Sequence, residues 1–292
     1  MTTQPPYRKV LVAVDGRPGG QDAVALARVL AAPDAELCLV HVWALGATLL
    51  VDRTEESDRL LERERRLAGL ECPIRSFGSP TTLVGLRELV RTERADLVVL
   101  GASHRSPLGR LVLGSVTRSA VHKLGCAVAV APRGYADHPG SLKTIGVGFT
   151  ATDDSWPALD AARDLARVHH AEVRAITVVP PPPVMASSPA APILAAGLRE
   201  RAVEDARRRL DTLTDVDGRV ALGTAAPALR VFATEVDLLV LGSHGRGAIR
   251  RLVLGSAADA VLHDLHAPVL VLPQVAGDVE AGTPVEEAAG AR

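Results

Sequence analysis

Residues 239–256 read LVLGSHGRGAIRRLVLGS. An apolar run stops at Gly242, Gly245 follows, and Gly255–Ser256 opens a segment of helical character. Residues 98–115, VVLGASHRSPLGRLVLGS, make nearly the same excursion, and RLVLGS recurs verbatim at 110–115 and 251–256. Gly101 and Gly242, Gly114 and Gly255, Ser115 and Ser256, and Pro132 and Pro273 all stand 141 residues apart. Solenoid repeats have periods of about 20–50 residues, so a period of this length marks a duplicated domain.

Outward from the glycines, the first copy alternates short apolar runs with helical spacing. Lys9–Val14, Glu36–Val42, Ile74–Phe77, Leu97–Leu100 and Ala127–Ala131 read as strands. Asp22–Leu30, Arg53–Leu70, Thr82–Arg91 and Ser115–Leu124 read as helices. Thr144–Leu272 follows the same order. Strands that alternate with helices imply βαβ units and a parallel sheet. The fold class expected is α/β, as two tandem, doubly wound, five-stranded parallel sheets. The copies fall at 7–132 and 142–273, joined by Arg133–Ser141. The closing strands, at Val128–Val130 and Val269–Val271, are candidates for joining the halves, because a final strand can be an edge in need of a partner. Pro180–Pro192 is expected as an exposed loop near the mouth of the second site. The Ala/Gly-rich, acidic tail 274–292 is expected to be disordered.

Composition narrows the function classes. The 292 residues are 47% apolar and only 2% aromatic, so the core must be built from Val, Leu, Ile and Ala, which suits strands buried on both faces. With 33 basic and 34 acidic residues the formal charge is −1, which argues against nucleic acid as a partner. No apolar run is long enough for a membrane span, and MTTQPPYRKV lacks the apolar stretch of a signal peptide. A cytoplasmic location is expected, with no membrane partner. Cys38, Cys72 and Cys126 are odd in number and far apart, the pattern of buried thiols rather than a disulfide or zinc framework.

The glycine excursion carries the chemistry. In a parallel sheet, ligands bind beyond the carboxyl ends of the strands. Glycines there let the backbone approach phosphate oxygens, and the N–H groups of the following helix favour an anion. The Ser256 hydroxyl has two compatible uses, donating to a phosphate or capping its own helix in the capping-box pattern Ser256–Asp259. The G-x2-G-x9-G-S spacing is neither a Walker A motif nor a dinucleotide fingerprint. Arg246, Arg250 and Arg251 are read equally well as phosphate contacts or as surface charge. His169–His170 and His263-x2-His266 are read as helix ends, with no metal site. Residues 53–66, RTEESDRLLERERR, are read as a solvated helix face. No catalytic constellation is recognisable.

Together with VAVDG at 12–16, LVHV at 39–42, and AVAVAP and PVLVLP closing the copies, the motif resembles the universal stress protein family, in a tandem member. The resemblance implies a Rossmann-like, adenine-nucleotide α-hydrolase-like sheet in each half, and in the ATP-binding branch a glycine loop that cradles phosphates and ribose. Carried across, the first-half site comprises Ala13, Val14 and Asp15 after strand one, Val42 at strand two, and Gly101, His104, Arg105, Gly114, Ser115 and Val116. The second-half site comprises Phe149, Thr150, Val178, Gly242, Gly245, Arg246, Gly255, Ser256 and Ala257. Each half departs from the pattern. His104 replaces the second glycine of the first loop. Thr150 replaces the aspartate of the second half, where Asp153 and Asp154 lie at the wrong offset. Because phosphates carry the larger charge, the complete glycine loop makes the second half the stronger expected cradle.

The function expected is that of a nucleotide-binding stress-response regulator. ATP, with or without magnesium, would act as ligand or effector rather than as consumed substrate. An unidentified protein would be the partner, and the duplication would form an intramolecular pseudo-dimer, alone or within a homodimer. Two alternatives stand beside it: a nucleotide-free interaction module, and a weak ATPase.

Overall fold

The computed structural model describes residues 7–45, 52–102, 114–151, 155–182, 191–242 and 256–273. The first half runs β1 (Lys9–Ala13), α1 (Pro18–Leu30), β2 (Glu36–Ala44), α2 (Thr54–Leu67), β3 (Ile74–Ser79), α3 (Thr82–Glu93), β4 (Leu97–Gly101), α4 (Ser115–Lys123) and β5 (Ala127–Ala131). A 3-10 turn, Tyr135–Asp137, lies in the connection. The second half runs β6 (Thr144–Gly148), α5 (Trp156–His169), β7 (Glu172–Val179), α6 (Ala191–Asp211), β8 (Asp217–Leu222), α7 (Ala225–Ala233), β9 (Leu238–Gly242), α8 (Ser256–Leu262) and β10 (Val269–Leu272).

The two halves share one ten-stranded sheet, ordered β3-β2-β1-β4-β5-β10-β9-β6-β7-β8. Within each half the strands are parallel; only the central β5–β10 pair is antiparallel. Its register is Val128↔Val271, Ala129↔Leu270 and Val130↔Val269. Ala129 and Leu270 are equivalent positions of the two copies, so a local pseudo-twofold axis passes between them. The closing strands do join the halves: each is an edge that the other covers.

Alternation along the strands sends side chains to two cores. Val10 and Val12 of β1 pack with Leu26 of α1 and Leu61 of α2, while Leu11 packs with Leu86 of α3 and Val121 of α4. All three β1 residues are fully buried, as strands covered on both faces require. The helices of the second half divide likewise, α5 and α6 on one face and α7 and α8 on the other.

Several boundaries differ from the sequence reading. α1 begins four residues before Asp22, because Pro18 occupies the first turn, where its missing N–H costs nothing. Pro192 is not in a loop: α6 starts at Ala191 and takes the proline in its first turn. Residues 183–190 of the expected loop, and the tail 274–292, lie outside the described residues. The connection at 133–141 is not a free linker. The buried Asp22 carboxylate accepts the N–H groups of Gly134 at 3.1 Å and Ala136 at 2.9 Å. Gly134 takes φ = 77°, a left-handed conformation that glycine adopts without Cβ strain.

Candidate functional site

The chain runs from β1 out to β2 and β3, then returns to β4 on the other side of β1. That reversal leaves a crevice at the carboxyl ends of β1 and β4, where α/β sheets receive ligands. In the first half it is a cleft of about 660 Å³. Of the residues expected there, Ala13, Val14, Asp15, Val42, Gly101, Gly114 and Val116 line it. Ser115 opens α4 between two of them. His104 and Arg105 lie outside the described residues.

Polar and charged contributors that escape the sequence reading are Arg17, His41, Thr82, Thr117 and Arg133. The Arg17 N–H donates to the Asp15 carboxylate at 3.2 Å, and its guanidinium stands 3.6 Å from the same group. Asp15 is thereby held in a local turn at the cleft wall. The His41 ring lies in LVHV with Nδ1 2.7 Å from the hydroxyl of the buried Ser57. Burial lowers the imidazole pKa, while Asp15 and Glu56 pull it upward. Thr117 donates from Oγ1 to the Gly101 carbonyl at 3.4 Å, linking the start of α4 to the end of β4. Gly101 itself sits against the first turn of α1, where an added Cβ would be 2.0 Å from the Gly19 carbonyl oxygen. The resulting cleft has an apolar end at Val40 and Val42, a carboxylate in its middle, and cationic side chains toward α1 and β5.

The second half builds its corresponding floor differently. β6 aligns with β1 through their matching pairings, which sets Phe149 at the position of Val14 and Thr150 at that of Asp15. Ala151 takes φ = 55° where Gly16 takes 75°. Phe149 is buried and meets Trp156 edge-on, with ring centroids 5.1 Å apart. Its carbonyl accepts from Thr177 Oγ1 at 2.7 Å; Thr177 stands where the first half has His41. With the helices aligned on Pro18 and Pro157, the buried Ala158 and Leu159 replace Gly19 and Gly20. Val178 lines a separate cavity of about 290 Å³ with Pro180–Pro182 and α6. Gly242 ends β9, Ser256 opens α8, and Ala257 packs at the margin of the core. Gly245, Arg246 and Gly255 lie outside the described residues. Asp259 pairs with Arg118 of α4; the Ser256 side chain, and with it the expected capping box, lies outside the described residues.

A family model described as the universal stress protein family matches residues 6–132 and 141–273. The chain belongs to the universal stress protein family. As a tandem member it is similar to a universal stress protein of Mycobacterium tuberculosis H37Rv, 33% identical over 189 residues. That match covers 63% of this chain and spans 63% of the relative's length. A universal stress protein of Mycolicibacterium smegmatis is 28% identical, over 90% of this chain and 96% of its own. The crystal structure of a universal stress protein from Archaeoglobus fulgidus shares the fold, with a TM-score of 0.65 at 17% identity. The alignment covers 93% of this chain and 97% of that one. Among the described residues no helix is long and apolar enough to cross a membrane, and no group of three His, Cys, Asp or Glu side chains could hold a metal ion.

Cys38 and Cys72 are buried, and Cys126 is partly buried. Burial pushes Cys38 up to about 11 and Cys126 up to about 12, and raises Cys72 as well. All three are free, and burial disfavours the thiolate that nucleophilic chemistry requires. His263 and His266 turn Nδ1 to the carbonyl oxygens of Asp259 and Asp264, at 2.7 and 3.0 Å.

Proposed function

We propose that the first-half cleft binds an adenine nucleotide, and that the bound nucleotide acts as an effector of a stress-response regulator rather than as a substrate. The cleft's composition carries the reading. Its volume falls within the roughly 300–1,000 Å³ of small-molecule sites. Val40 and Val42 offer an apolar end for a base, the Asp15 carboxylate an acceptor for a ribose hydroxyl, and the start of α4 with Arg17 and Arg133 a setting for phosphates. The sequence alone weights the second half by its complete glycine loop. The proposal follows the first half, because the cleft of about 660 Å³ lies there, while the second half carries the larger Phe149, Ala158 and Leu159 at the positions of Val14, Gly19 and Gly20.

Magnesium enters this reading only with the nucleotide, since Asp15 is the one carboxylate among the described residues lining the cleft. An effector works by binding one conformation more tightly than another; the surface it would alter belongs to an unidentified protein partner. The test is mass spectrometry of small molecules released from gently purified protein, with a phosphate-release assay alongside. An adenine nucleotide bound without multiple turnover is the expected result. A nucleotide-free preparation that takes up no ATP would favour the interaction-module reading, and sustained phosphate release the ATPase.

A further inference from the structure

We propose that Arg133, a residue of the connection between the halves, binds the phosphate end of the nucleotide and so ties the occupied cleft to the joint of the molecule. The proposal rests on the reading of the cleft as a nucleotide site. Strand order gives the direction. Across the cleft run β2, β1, β4 and β5, with Val42 at the β2 end and Arg133 just beyond β5. A ligand with its base at Val42 therefore points its phosphates toward β5 and the start of α4, where Gly114 and Val116 line the same wall. Among the described residues Arg133 makes no ion pair. A guanidinium at this place supplies the planar donors that phosphate oxygens accept.

The backbone that follows Arg133 is fixed. Gly134 and Ala136 donate to the buried Asp22, and Tyr135 packs at the margin of the core. Asp22 belongs to α1, whose first turn is itself a wall of the cleft. One helix thus touches both the ligand site and the connection, and Arg133 closes the circuit from the other side. A phosphate drawn to Arg133 tightens the segment that leads into β6.

Calorimetric titration of ATP and of adenosine into wild type, Arg133→Ala and Arg133→Lys tests this. Arg133→Ala is expected to weaken ATP by about tenfold or more, the loss typical of a hydrogen bond to a charged group, and to leave adenosine within about twofold. Arg133→Lys is expected to recover part of the loss. Hydrogen exchange at Gly134 and Ala136 should slow on adding ATP to wild type, and not in Arg133→Ala. Equal losses for both ligands would mean a structural role and overturn the proposal, as would unchanged ATP affinity in the variant. Wild type that binds no nucleotide would overturn the nucleotide reading and this inference with it.

Discussion

At Gly101 an added methyl group would lie 2.0 Å from one carbonyl oxygen, in the first turn of α1. Backbone cannot yield as a side-chain tip does, so Gly101→Ala should lower stability by about 1–3 kcal/mol, as overpacking does. Gly140, with nothing within 4 Å, is the control, and Gly140→Ala should be near neutral in the same urea titration. His41 gives a pH signature. Its imidazole, lowered by burial, is favoured neutral in the native state and gains its proton more readily when unfolded. The stability this contributes is full above the ordinary histidine range and is lost as pH falls through that range toward the lowered native pKa. His41→Asn should therefore flatten the fall in urea midpoint on acidification, and an unchanged slope would contradict it. The sequence exposes Gly101 and Gly114 because they recur 141 residues on, and Asp15 through the family resemblance alone, since Thr150 takes its place in the second copy. Arg17, His41 and Arg133 carry no such pattern: they come from three separate stretches that meet only through the strand order.

Helices α4 and α8 flank the central strand pair, and there Arg118 meets Asp259, 141 residues on. These are the same position in the two copies, facing each other across the pseudo-twofold axis. Identical residues would set like charges together; divergence has set opposite ones. Arg118→Asp should destabilise the chain, and Arg118→Asp with Asp259→Arg should restore it, with a coupling of about 0.5 kcal/mol for a pair this exposed. Additive effects in a double-mutant cycle would remove the pair from the account. Most elements were legible, since buried strands and amphipathic helices leave periods of their own. The two helix starts that differ, Pro18 for the expected Asp22 and Ala191 for the expected end of the proline-rich loop, both place a proline in the first turn of a helix, which accommodates it.

For the whole molecule, duplication predicts two like sheets, and their fusion into one follows from two apolar edges that cover each other. The sequence ranks the second half first, on its complete glycine loop, and the proposal reverses that order. The sequence displays loops, whereas the larger Phe149, Ala158 and Leu159 change the floor beneath one of them through packing that no loop motif records. The central claim is that the first half holds the nucleotide. Calorimetric titration of ATP into Gly114→Val and Gly255→Val separates the halves most directly, because a branched side chain at either glycine would crowd the phosphates of its own half alone. Loss of binding in Gly114→Val, with wild-type affinity in Gly255→Val, is the predicted result; loss in Gly255→Val, with binding intact in Gly114→Val, would contradict it.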